Sequence, residues 1–158
     1  MKSVIIDTNV LFSGLLFEGN ERKVLERILQ GMLTIGEKIE FIFPEFIYQE
    51  IVDVLKRKKA PETMLLLVEM MYEAESTIKI SINKIIDYIE KAKVLLKSET
   101  HKDIPVIASV LASNPDYLIT GDKRLHRDLG RNINDPNSQP VKIGRTLVIF
   151  PKEALNLL

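Results

Sequence analysis

Residues 2–16 read Lys2-Ser-Val-Ile-Ile-Asp-Thr-Asn-Val-Leu-Phe-Ser-Gly-Leu-Leu16. Val4, Ile5 and Ile6 form a short, mostly β-branched apolar run without a period, the pattern of a strand buried on both faces. It stops at the polar triplet Asp7, Thr8, Asn9, so the Asp7 carboxylate falls at the carboxyl end of the strand. In open α/β sheets that rim is where ligands bind, and an acid beside a hydroxyl and an amide can hold a cation by oxygen ligation. The plainer alternative is a helix N-cap, because any of the three could satisfy the first turn of a helix running towards Leu16. Which reading holds depends on whether other acids reach the same rim.

The rest of the composition narrows the class. A chain of 158 residues with 46% hydrophobic side chains can fill one core and is short for two, so one domain spanning residues 1–158 is expected. The 22 basic and 22 acidic residues cancel, so a polyanionic partner would have to be attracted by a local patch. The absence of cysteine excludes disulfides and thiolate metal sites. No uninterrupted apolar run approaches about 18 residues, and a soluble cytoplasmic protein with no membrane segment is expected.

Strand-like and helix-like pieces alternate along the chain. From Asn20, read as an N-cap, Val24, Leu25, Ile28, Leu29 and Met32 recur at helical spacing until Gly31 and Gly36 break the pattern. Phe41–Phe43 reads as a strand, and Pro44 opens a helix to about Lys58 with Phe46, Ile47, Ile51, Val54 and Leu55 as its apolar stripe. Glu50 lies within that stripe, where an acid is costly unless it is paired or binds a metal; the alternative is a glutamate at the stripe margin. After the basic run Lys56–Lys59 and Pro61, a helix from Glu62 to Glu75 carries more apolar residues than one core-facing stripe needs. Ile78, Ile80 and Ile82 alternate as in a short strand, and Lys84–Leu96 returns to helical spacing. Lys97–Lys102 reads as a loop, in which His101 is more simply solvated than functional.

Asp103 heads the next buried stripe, with Val106, Ile107, Val110 and Leu111 at helical intervals, and on local pattern alone it is an N-cap. A further strand, Tyr117–Thr120, ends in Gly121 and Asp122, repeating the first motif of an apolar strand closed by an aspartate. A short helix, Lys123–Leu129, follows and stops at Gly130; a turn-rich loop then leads to a last strand, Thr146–Phe150, and a terminal helix opened by Pro151. In a parallel sheet Asp7, Glu50, Asp103 and Asp122 can therefore all converge on one rim. Four carboxylates so placed repel one another, and one or two divalent cations would relieve that repulsion. Oxygen-only ligation favours Mg²⁺ or Mn²⁺ over Zn²⁺, and such a site suits phosphodiester hydrolysis.

Asp7-Thr8-Asn9, the helical Glu50, Asp103 ahead of an apolar helix, and Thr120-Gly121-Asp122 together resemble the PIN-domain nucleases, including the VapC-type toxins of prokaryotic toxin–antitoxin pairs. The resemblance runs from residue 3 to about residue 150. It implies an α/β fold, a doubly wound and mainly parallel sheet flanked by helices in three α/β/α layers. It further implies Mg²⁺- or Mn²⁺-dependent endoribonuclease chemistry, with Asp7, Glu50, Asp103 and Asp122 as catalytic metal ligands and Asn9 and Thr120 orienting them. Homodimers and a small DNA-binding antitoxin are the implied partners. Some relatives carry an acidic run ahead of the third acid; here that segment is His101-Lys102, which leaves one ion or two open.

Other classes remain on the sequence alone. An RNA-processing nuclease without an antitoxin and a non-catalytic domain that binds RNA or a partner share the same framework. A phosphoacceptor or phosphatase pocket is disfavoured, because Asn9 stands where the haloacid-dehalogenase type needs a second aspartate and a receiver needs adjacent acids. For RNA binding, residues 123–152 carry seven basic side chains (Lys123, Arg124, Arg127, Arg131, Lys142, Arg145 and Lys152) against Asp128 and Asp135. Lys123, Arg124 and Arg127, directly after Asp122, are the expected phosphate contacts, with Lys56–Lys59 as the alternative patch. The surplus apolar surface of Glu62–Glu75 is expected to pair two copies of the chain, unless Lys84–Leu96 covers it.

Overall fold

The structure, a computed structural model, describes residues 1–34, 39–96 and 101–158. Gly36 and the segment 97–100 of the expected loop lie outside the described residues, as does the His101 side chain. The opening strand β1 (Lys2–Ile6) is followed by α1 (Thr8–Leu16) and α2 (Asn20–Leu33), then β2 (Ile39–Pro44), α3 (Glu45–Arg57) and α4 (Glu62–Glu73). The chain continues through β3 (Ile78–Ile80), α5 (Ile82–Ile86), α6 (Ile89–Leu95), a single 3₁₀ turn at His101–Asp103 and α7 (Ile104–Ser113). It closes with β4 (Tyr117–Ile119), α8 (Lys123–Asp128), the hairpin of β5 (Val141–Ile143) and β6 (Thr146–Ile149), and α9 (Pro151–Leu157).

The strands form one sheet in the order β3-β2-β1-β4-β6-β5, parallel throughout except for β5. Helices flank it, giving the expected three-layer, mainly parallel α/β/α arrangement. Val4, Ile5 and Ile6 are at most 1% exposed, as a strand paired on both edges and covered on both faces requires. Burying each contributes about 1.5–3 kcal/mol. From β1 the chain winds outwards through β2 and β3, then returns to lay β4 and β6 on the other side. The strand order thus reverses between β1 and β4, and the backbone bond from Asp7 N–H to the Ile119 carbonyl (2.9 Å) joins the two strands where the crevice opens.

Several local expectations are corrected. Gly19, at φ 152°, takes the cap position of α2, and Asn20 is its first helical residue. Gly31 does not break that helix: the Ile39 side chain packs against it so closely that an added Cβ would stand 2.8 Å away. Ile82 begins α5 and is not the end of β3, and the expected Lys84–Leu96 helix is two short ones split at Asp87 and Tyr88. Those two helices pack on α7 and leave α4 against α3, where Tyr48 and Tyr72 stack with centroids 4.0 Å apart. β5, expected as part of a loop, pairs with β6 across Gly144 (φ 59°) and Arg145, a two-residue turn whose first position needs a glycine.

Candidate functional site

Asp7 proves to be a helix cap and a lining residue of the crevice at once. One carboxylate oxygen accepts from the Thr8 N–H and the other from the Thr120 hydroxyl, each at 2.8 Å. Burial raises its pKa, the two hydrogen bonds oppose that rise, and the charges of Glu50 and Asp122 add to it. Asp122 likewise caps α8, accepting from the Arg124 N–H at 2.9 Å, and its own N–H donates to the Thr120 hydroxyl at 3.2 Å. Thr120 therefore ties together two aspartates delivered by adjacent strands.

Asp103 differs from both. It occupies the cap position of α7 but makes no cap hydrogen bond, so the N-cap role that local pattern favoured is not realised. The residue is 6% exposed, and its pKa is pushed up to about 6 by burial, then by the charges of Asp122 and Asp7, with Lys102 partly offsetting them. Glu50 takes the second of its two readings. It is exposed at the margin of the α3 stripe and avoids the cost of burial by reaching along the crevice wall, where its carboxylate accepts from the Thr8 hydroxyl.

All four acids line one cavity of about 480 Å³. Among the described residues no three acidic or histidine side chains stand close enough together to hold a metal ion as they are. Like charges repel, and Asp7 and Asp122 turn their carboxylates to the N-termini of α1 and α8. The donor set itself, oxygen only and with the Asp103 carboxyl making no cap bond to α7, matches a hard divalent cation.

Asn9 lines the cavity as expected, yet it is Thr8 that bonds Glu50. The cavity also includes Phe12, Phe46, Asp53, Arg57 and Lys102, which the sequence reading did not place there. Arg57 belongs to the alternative basic run and stands two turns beyond Glu50 on the same helix face, held loosely by Asp53 at 3.8 Å. That spacing was the available signal. Lys123, Arg124 and Arg127 are exposed on α8 outside the cavity lining. Two other members of the expected patch serve the fold: Arg131 pairs with Glu153 through two bonds of 2.7 and 2.9 Å, and Arg145 bonds the Asn114 carbonyl at 2.9 Å.

Residues 3–124 match the family model of the PIN domain. The chain belongs to the PIN-domain family. Among solved structures, the PIN fold seen here is similar to a chain of a toxin–antitoxin complex from Klebsiella pneumoniae, with 15% identity and a TM-score of 0.58 over 94% of this chain and 97% of that one. No curated protein matches the sequence. In this PIN domain no helix among the described residues is long and apolar enough to cross a membrane.

Proposed function

We infer that this PIN domain is a divalent-metal-dependent endoribonuclease, the cytoplasmic toxin of a toxin–antitoxin pair. The observation that carries this reading is the meeting of Asp7, Glu50, Asp103 and Asp122 on one cavity at the sheet's switch point, with the Asp103 carboxyl free of any cap bond. These four would hold one or two Mg²⁺ or Mn²⁺ ions. When bound, such an ion eases deprotonation of an attacking water and neutralises charge gathering on the phosphate.

The remaining roles fall to the chain's own side chains. Thr120 fixes the orientation of Asp7 and of the Asp122 backbone, Thr8 that of Glu50, and Asn9 offers a neutral polar contact on the same wall. Arg57 and Lys102 meet the phosphates beside the scissile bond, with Phe12 and Phe46 as an apolar surface for a ribose or base. Lys123, Arg124 and Arg127 contact the strand further out. The partner named in the Klebsiella complex supports looking for an antitoxin, and the exposed Leu66 and Met70 of α4 support a homodimer through that helix.

Cleavage of RNA, with end-group analysis of the products, tests the chemistry. Attack by an activated water predicts 5′-phosphate and 3′-hydroxyl ends, and complete loss of cleavage in EDTA. Asp7→Asn should abolish cleavage while the protein stays folded. Cyclic phosphate ends formed without metal, or full activity in that variant, would overturn the proposal.

A further inference from the structure

Thr120 is held on every side at the point where β4 ends. Its N–H donates to the Ile149 carbonyl at 3.0 Å, its hydroxyl links Asp7 and Asp122, and its carbonyl accepts from Nε2 of His126 at 2.8 Å. The last bond is foreign to a strand ladder. β4 and β6 run parallel with Ile119 opposite Ile149, and their bonds alternate: Leu147 N–H reaches the Asp116 carbonyl, and Thr120 N–H reaches Ile149. Continued by one step, the alternation would bring the Thr120 carbonyl to the backbone nitrogen of residue 151. That residue is Pro151, which has no N–H to give. The imidazole N–H arriving from α8 takes its place.

His126 is built in for that bond. It is 0% exposed, and its ring stacks on Phe150 with centroids 3.7 Å apart and planes 20° apart. Its other nitrogen, Nδ1, is buried without a hydrogen-bond partner among the described residues. A phenylalanine or leucine would fill the same space without a buried, unpaired ring nitrogen, but would leave the Thr120 carbonyl without a donor, so what histidine adds here is the Nε2–H.

The geometry points to His126 as a positioning residue for the carboxylate cluster: replacing the ladder donor that Pro151 lacks, it fixes the Thr120 peptide and through it the settings of Asp7 and Asp122. This rests on the metal-binding reading of that cluster given above. His126 touches neither metal nor substrate, and acts only through Thr120.

Two readouts test it, Mn²⁺ affinity by calorimetry and amide exchange at Asp122 in the metal-free protein, since that amide donates to the Thr120 hydroxyl. His126→Phe keeps the stacking on Phe150 and removes the donor; it should bind Mn²⁺ about tenfold more weakly, at the low end of effects from partners that orient ligands. Its Asp122 amide should also exchange faster than in the wild type. His126→Gln, which restores a side-chain N–H, or Pro151→Ala added to His126→Phe, which restores the backbone N–H, should recover both readouts. Should the phenylalanine variant fail to fold, His126→Met removes the donor in its place. Native affinity and exchange in the donor-free variant, or a loss that neither restoration repairs, would overturn the assignment. If the wild type itself binds no Mn²⁺, the proposed function fails, and exchange at Asp122 still decides the brace.

Discussion

Asp103→Asn should stabilise the metal-free protein. In the folded chain Asp103 takes up its proton near pH 6, against 3.8 in the ordinary case, so the folded state holds that proton more tightly than the unfolded state does. The stability this group contributes is therefore fully present below about pH 3.8 and is lost as pH rises through about 6. The full rise corresponds to about 3 kcal/mol, which solvent entering the open cavity reduces to about 1–2 kcal/mol. Asparagine keeps the shape and removes the charge. Thermal unfolding in EDTA should show the variant melting about 2–8 °C above the wild type near pH 7.5. The two should melt together near pH 4. Millimolar Mn²⁺ should reverse the order at the higher pH, because binding to the folded state stabilises the wild type and the variant has lost a ligand. A variant that melts no higher than the wild type at pH 7.5 in EDTA would show that Asp103 is a structural residue of α7 and that the acids do not strain one another.

Three further outcomes are expected. Arg57→Glu combined with Lys102→Glu should weaken RNA binding and lower the salt slope of log K by about 1–2, more than Arg124→Glu with Arg127→Glu does; the opposite ranking in filter-binding assays would move the substrate path to α8. Arg131→Ala should cost about 2–4 kcal/mol in denaturant unfolding, because the Arg131 side chain is 8% exposed and its loss leaves Glu153 without its partner. Burial opposes ionisation of Glu153, but the bonds from Arg131 and the Phe150 amide hold its pKa below 4.5, so the stability it contributes is lost as pH falls below that value and the loss should be smaller in the variant. Leu66→Glu with Met70→Glu should turn a dimer into a monomer in light scattering at micromolar concentration, and a wild-type monomer, or a dimer untouched by the pair, would remove α4 as the contact.

Much of this molecule was legible in the chain because its signals are local. The unbroken apolar run before Asp7, its echo before Asp122, and the helical stripes carrying Glu50 and Asp103 fix the parallel α/β framework and bring four acids to one rim. Periodicity alone misjudged what depends on a neighbour. Gly31 reads as a breaker until Ile39 is seen lying against it, and Val141–Ile143 reads as loop until β6 pairs with it.

Whether an aspartate at a helix start caps that helix or stays free is likewise a tertiary question. Asp7, Asp103 and Asp122 each stand at the start of a helix, yet two cap and one does not, and the second Asp7 oxygen is taken by Thr120, 113 residues away in the sequence. Sequence by itself determined that Asp7, Glu50, Asp103 and Asp122 reach the crevice, since strand and helix periods aim side chains without regard to distant contacts. Only the tertiary structure decided their surroundings: Glu50 exposed, Arg57 on the wall, and His126 donating where Pro151 cannot. Those outcomes follow from strand register and packing, which bring together groups that no local pattern links.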